Sequence, residues 1–85
     1  MMKHYTYILK SISFPKTYVG ITENVQTRLK EHNSGKTKST KAFAPYFVLH
    51  FETNNSRIEA RKREKYFKSG VGREWIKRKF FSEKD

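Results

Sequence analysis

Two β-rich runs, Tyr5 to Ser11 and Thr17 to Thr22, are separated only by a short stretch holding Pro15 and Lys16. Strands this close in sequence pair as an antiparallel hairpin, because a parallel pair needs a crossover of a dozen residues or more. A third run, Tyr46 to Thr53, alternates with Phe47, Leu49 and Phe51 on one side and Tyr46, Val48, His50 and Glu52 on the other. That period of two predicts a strand.

Helical signals fill the intervals. Asn24 offers an N-cap, Val25 and Leu29 lie four apart, and Asn33-Ser34-Gly35 supplies a stop, so residues 24–33 read as a helix. Residues 34–45 hold turn formers, Lys36, Lys38 and Lys41, and no acid, which is the chemistry of a basic loop. Asn54, Asn55 and Ser56 are capping residues ahead of a helix from Arg57 to Ser69. Gly70 and Gly72 break it, and Arg73 to Phe81 read as a last helix whose Trp75, Ile76 and Phe80 face the domain. The order β-β-α-β-α-α predicts an α+β fold, a small three-stranded antiparallel sheet flanked by helices.

Eighty-five residues suit a single domain spanning residues 1–85, with a frayed tail at 82–85. Only 35% of the residues are hydrophobic, but 15% are aromatic, and rings of that size make a compact core feasible. With no cysteine, disulfides, thiolate zinc sites and thiol nucleophiles are excluded, which suits a reducing compartment. No apolar run approaches the ~18 residues of a membrane span, and the start of the chain lacks a signal-peptide core, so the expectation is a soluble cytoplasmic protein. A net charge of +11 attracts polyanions and releases their counterions, which makes nucleic acid the default partner.

Polar residues interrupt both apolar helix faces. From Ala60 the helical stripe reads Ala60, Glu64, Phe67, Val71, so Glu64 must meet a cation, a metal or the wet floor of a cleft. Glu59 lies about 140° away around the helix, near Arg63 and Tyr66, as a surface ion-pair former would. On the earlier helix Val25, Arg28, Leu29 and His32 share one face. Arg28 can snorkel over the core edge or bridge to Glu64, and His32 can cap the helix end. Tyr7 and Tyr18, on the paired hairpin strands, can be half-buried core residues. Together, two phenols, an arginine, a histidine and an inward glutamate on a basic domain also suit a metal-dependent phosphodiesterase.

At these residues the chain resembles the GIY-YIG nuclease superfamily. Tyr18-Val19-Gly20 retains the second half of the motif, whereas Tyr5-Thr6-Tyr7 keeps only the tyrosine of the first. Thr27 to His32 follows at the spacing that aligns Arg28 and His32 with the family's arginine and second helix residue, and Glu59 to Lys68 resembles its metal-binding helix. The similarity is to a small stand-alone group related to the nuclease domain of the excision-repair incision subunit. Three departures stand out: Tyr5 replaces the first-motif glycine, Ile21 stands where many members carry a polar residue, and Ile76 lies twelve residues beyond Glu64, where an asparagine is usual.

The resemblance implies a metal-dependent endonuclease that hydrolyses DNA phosphodiester bonds, with DNA repair or recombination as its setting. Tyr7, Tyr18, Arg28, His32 and Glu64 are the implied catalytic residues. Glu64 holds Mg2+ or Mn2+, Arg28 grips the scissile phosphate, and Tyr7 activates water with help from Tyr18 and His32. Lys36, Lys38, Lys41 and Arg28 are the expected contacts to DNA, whether branched, flapped or damaged. The competing reading is a non-catalytic basic adaptor with a degenerate site. Attachment to an anionic membrane finds no support, since no basic helix carries a broad apolar face.

Overall fold

The computed structural model describes residues 3–81, so the tail expected at 82–85 lies outside the described residues. The hairpin forms from β1 (His4–Ser11) and β2 (Thr17–Thr22), and β3 (Tyr46–Asn54) pairs antiparallel with the other edge of β1. The sheet order is therefore β2-β1-β3. As the middle strand, β1 is covered on both faces: Thr6, Tyr7, Ile8 and Leu9 are each at most 1% exposed. Alternation along β1 feeds two cores. Ile8 packs with Val19, Phe67 and Ile76 on one face, and Tyr7 and Leu9 pack with Tyr46 on the other. Thr6, polar but buried, donates to the Ala60 carbonyl at 2.9 Å and accepts from Asn54 Nδ2 at 3.1 Å.

The alternation expected for β3 is interrupted. Ile8 pairs with His50 but Leu9 pairs with Val48, so Leu49 is an extra residue in a bulge. The expected face of Tyr46, Val48, His50 and Glu52 is thereby split. Tyr46 and Val48 join Tyr7 and Leu9, whereas His50 stacks near Phe67 and Trp75 in the opposite core. Leu49 packs with His50's core rather than with Phe47 and Phe51, which are exposed. A perfect alternation in sequence does not reveal a bulge, because the extra residue is chosen by the strand it pairs with.

Helix α1 (Val25–Asn33) begins where Asn24 Oδ1 accepts the Thr27 N–H at 3.0 Å. The Asn33 amide then binds Tyr46 twice, accepting its N–H at 2.7 Å and donating to its carbonyl at 3.0 Å, which fastens the end of α1 to β3. Gly35, at φ +83°, makes the left-handed turn that follows. Residues 34–45 are not wholly loop: they contain a single helical turn, α2 (Lys38–Lys41), anchored by the buried Thr40.

Helix α3 (Arg57–Lys68) is capped from both directions, with Ser56 Oγ accepting the Glu59 N–H and Glu59 Oε1 accepting the Asn55 N–H. Glu59 is thus a capping carboxylate rather than the expected partner of Arg63, which instead makes a two-pronged ion pair with Glu52 of β3. The last helix starts earlier than Arg73. Ser69 leaves the helical path at ψ 169° and caps α4 (Gly70–Ile76), which continues into a wide π-helical turn, Lys77–Phe81. This break corrects the stripe as well, since Val71 is turned outward and 68% exposed.

Gly72 is buried against α3, and a Cβ there would collide with the Tyr66 carbonyl and stand 2.6 Å from Phe67 Cα. At Gly70 nothing lies within 4 Å of the same atom. Gly72→Ala should therefore lower stability by about 1 to 3 kcal/mol, the usual cost of overpacking, while Gly70→Ala leaves it unchanged or slightly raised. Thermal melts of the two variants check this, and equal melting temperatures would contradict the packing described for α4.

Candidate active site

Tyr7 projects from β1 toward α1 and crosses over Gly20, its partner on β2. A Cβ at position 20 would lie 2.6 Å from the phenol oxygen and 2.8 Å from its Cζ, so the glycine is needed for this close approach. Beyond Gly20 the Tyr7 hydroxyl meets His32 Nε2 at 3.0 Å. On the far side of the imidazole, Nδ1 meets Thr40 Oγ1 at 2.8 Å. Tyr7, His32 and Thr40 are each at most 1% exposed. The ring of Tyr18, which precedes Gly20 on the same face of β2, lies 4.8 Å from the imidazole and 6.3 Å from the Tyr7 ring, centroid to centroid.

Burial decides the protonation of this group. It pushes the Tyr7 phenol up to about 12, against the opposing pull of Arg28 and with smaller upward contributions from Tyr18 and Glu64. His32 is moved the other way: burial, then the positive charge of Arg28, lowers it, with Glu31 opposing. Both are neutral at pH 7. Arg28 pairs with Glu31 at 2.7 Å, which raises its own pKa, and the Tyr7 phenol adds to that. Its side chain stays about one-third exposed, at the solvent end of the cluster.

Glu64 occupies the inner stripe of α3, its side chain only 14% exposed. The buried bridge to Arg28 considered from the sequence does not form. Glu64 instead meets Lys68 at 3.0 Å and Arg61 at 3.7 Å, both on its own helix and both about half exposed. Its charge acts on Tyr7, so α3 reaches the same phenol electrostatically that α1 reaches through His32. Among the described residues no three His, Cys, Asp or Glu gather in one place, and the carboxylates that act on this cluster are Glu64, on Tyr7, and Glu31, on Arg28 and His32.

Tyr7, Tyr18 and His32 are thus gathered together, Arg28 and Glu64 flank them by charge, and His32, in the last turn of α1 as the capping reading had it, is fully buried. Lys36, Lys38 and Lys41 are exposed around α2, whose Thr40 touches His32. Two features escaped sequence reasoning. Thr40 looked like one more turn former in a polar stretch. The other is a groove of about 600 Å³ beside Tyr18, lined by Lys16, Lys68, Arg73 and Lys77 and by no acid. Its cations come from the hairpin loop, α3, α4 and the turn after it, and only their packing makes them neighbours.

The GIY-YIG catalytic domain family matches residues 3–78. A UPF0213 protein of Staphylococcus haemolyticus is 42% identical over 65 residues, covering 75% of this chain and 78% of the relative. A UPF0213 protein of Syntrophus aciditrophicus is 43% identical over 70 residues, covering 80% and 79%. The solution NMR structure of a UPF0213 protein from Bacillus halodurans is similar with a TM-score of 0.52 and 33% identity, over 88% of this chain and 82% of that one.

The phenol carries a prediction about alkaline pH. A folded pKa of about 12 against an ordinary value of 10.0 means that the folded state holds its proton longer. Its contribution is complete below about pH 10 and is lost as pH rises through about 12, a fall of about 2 to 3 kcal/mol. Urea unfolding of wild type and Tyr7→Phe across this range should show the steeper decline only in wild type. Parallel declines would assign the loss to other groups.

Proposed function

Because the chain belongs to the GIY-YIG catalytic domain family, we propose that it is a divalent-metal-dependent endonuclease hydrolysing DNA phosphodiester bonds. The observation that carries this reading is the meeting of a buried phenol, a neutral imidazole in hydrogen bond with it, and the charges of Arg28 and Glu64 acting on that same phenol. Structural ion pairs alone give no reason for a tyrosine, a histidine, an arginine and a glutamate from three elements to converge.

Glu64 would hold a Mg2+ or Mn2+ ion. A hard divalent ion accepts one carboxylate if water and phosphate oxygens complete its shell, and the two cations now paired with Glu64 are surface side chains able to move aside. Bound there, the ion supplies neutralisation of charge on the phosphate oxygens. Arg28, already at the open end of the cluster, offers a planar donor fork to a phosphate and offsets charge developing in the transition state. Tyr7 takes a proton from the attacking water while its own proton passes to His32 Nε2. The water oxygen bonds to phosphorus, the bond to the leaving oxygen breaks, and that oxygen takes a proton from solvent; His32 then returns its proton to Tyr7 as the phenol releases to solvent the one it took from the water. Tyr18 packs on the imidazole and holds it in place.

The DNA backbone would run along the basic surface on either side of Tyr18, from Lys36, Lys38 and Lys41 to the groove of Lys16, Lys68, Arg73 and Lys77. Phosphate contacts of this kind position a duplex without reading its bases. Flapped, branched or damaged DNA is accordingly the substrate class to test beside plain duplex.

Cleavage of a flap, branched, nicked and plain DNA panel with Mg2+ or Mn2+ tests the reading. Glu64→Gln should keep fold and DNA binding but lose cleavage, whereas Glu59→Gln, a capping position far around the helix, should change activity little. Arg28→Ala should lose about 10² or more in rate and little stability, because its partly exposed pair with Glu31 is worth about 1 kcal/mol or less. Wild-type protein that binds the whole panel and cleaves none of it would favour the adaptor. For the backbone track, replacing Lys36, Lys38 and Lys41 together by Gln should flatten the salt dependence of binding by about 0.9 in logarithmic slope for each phosphate that is no longer neutralised. An unchanged slope would confine the track to the groove beside Tyr18.

A further inference from the structure

The Tyr7 hydroxyl carries one proton and, in its buried surroundings, needs an acceptor for it. Arg28 has only donors, so the acceptor is His32 Nε2, the hydroxyl's hydrogen-bond partner at 3.0 Å. That ring nitrogen must then be bare, which puts the imidazole's single hydrogen on Nδ1. The far side of the ring leads to the same arrangement independently. Thr40 Oγ1 has two partners, His32 Nδ1 at 2.8 Å and the Thr37 carbonyl at 3.4 Å. A carbonyl accepts only, so the threonine proton goes to Thr37 and its oxygen lone pair faces the Nδ1 hydrogen. Every donor in the row points the same way, from Tyr7 through His32 and Thr40 to a backbone oxygen, and no buried side-chain polar atom among the described residues is left without a partner.

We propose that Thr40 is a positioning residue that fixes His32 in the tautomer protonated on Nδ1, so that Nε2 is free to receive the Tyr7 proton. The catalytic half of this proposal rests on the nuclease reading; the tautomer half does not. The device is the neutral counterpart of a carboxylate behind a catalytic imidazole. A hydroxyl orients the ring as a carboxylate would but does not add a negative charge, which would raise the affinity of the ring for a second proton. It also explains a helical turn of four residues in a stretch with the composition of a loop: α2 exists to present one hydroxyl to one ring nitrogen.

Nitrogen-15 NMR of the His32 imidazole in the full chain reads the tautomer directly, without any need for activity. Wild type and Thr40→Ser should both show a protonated Nδ1 and a bare Nε2. Thr40→Val, which removes the acceptor, should move the hydrogen to Nε2 or leave a mixture of the two forms. In the cleavage assay Thr40→Val should lose about 10²-fold in kcat with KM nearly unchanged, and Thr40→Ser should recover most of the rate at a melting temperature like that of wild type. A merely structural role would lower the melting temperature in Thr40→Val and leave both the tautomer and the kcat of the folded fraction untouched. A protonated Nε2 in wild type overturns the proposal whatever the variants do, including a Thr40→Val that fails to fold. Should the tautomer shift as expected while wild type cleaves none of the DNA panel, the tautomer control stands and the nuclease reading falls, together with the catalytic half of the proposal.

Discussion

The middle strand of the sheet is buried on both faces, and the rest of the molecule follows from that constraint. Thr6 to Leu9 are each at most 1% exposed, so in the resting protein each side chain finds its partners inside the protein. Ile8 and Leu9 do so by packing into opposite cores. Thr6 and Tyr7 carry hydroxyls, and an unpaired buried hydroxyl costs about 1 to 3 kcal/mol. Thr6 is satisfied by α3 and the end of β3, Tyr7 by α1. The same requirement that completes the fold therefore brings a histidine to a tyrosine.

The cluster around Tyr7 is assembled from every layer. The strand β1 supplies the phenol, β2 the glycine it crosses and the second tyrosine, α1 the imidazole and the guanidinium, and α2 the threonine behind the ring. Helix α3 stands across the sheet and contributes through the charge of Glu64. Burial holds the inner part neutral, with Tyr7 raised and His32 lowered, while the charged members stay nearer to water. A charged side chain at the wet rim avoids the desolvation that a buried ion pair must overcome. Arg28, about one-third exposed, pairs with Glu31 on α1, and the more buried Glu64 pairs with the exposed Arg61 and Lys68 on α3, so the two are each paired on their own helix and not with one another.

The departures from the family pattern have structural counterparts. Ile76, where an asparagine would be usual, is 5% exposed and packs with Ile8, Val19 and Phe67. A polar side chain there would have to be buried among hydrocarbon, so in this chain the position belongs to the core. Ile21 lines a groove of about 330 Å³ that it shares with Arg28, Glu23 and Glu31. Neither side chain carries a charge, so under the nuclease reading a phosphate would have to be met by Arg28 and by the cations beside Tyr18.

Local chemistry made the elements and much of the candidate site legible in the sequence. Short β-rich runs at close spacing dictate a hairpin, Asn24 and Ser56 mark helix starts through their capping oxygens, and a period of 3.6 puts Arg28 beside His32 and Glu64 on an inner stripe. What remained illegible depends on partners distant in the chain. The bulge at Leu49 is set by pairing with β1, the outward turn of Val71 by the break at Ser69 and the packing of Gly72 on α3, and the turn at Lys38–Lys41 by a hydroxyl meeting a histidine eight residues earlier. The sequence by itself determined which side chains could do chemistry, because residue type and helical or strand period are local properties. Only the tertiary structure decided which of them touch, which are neutral and which way the hydrogen bonds run, because burial and the supply of acceptors belong to the packed whole.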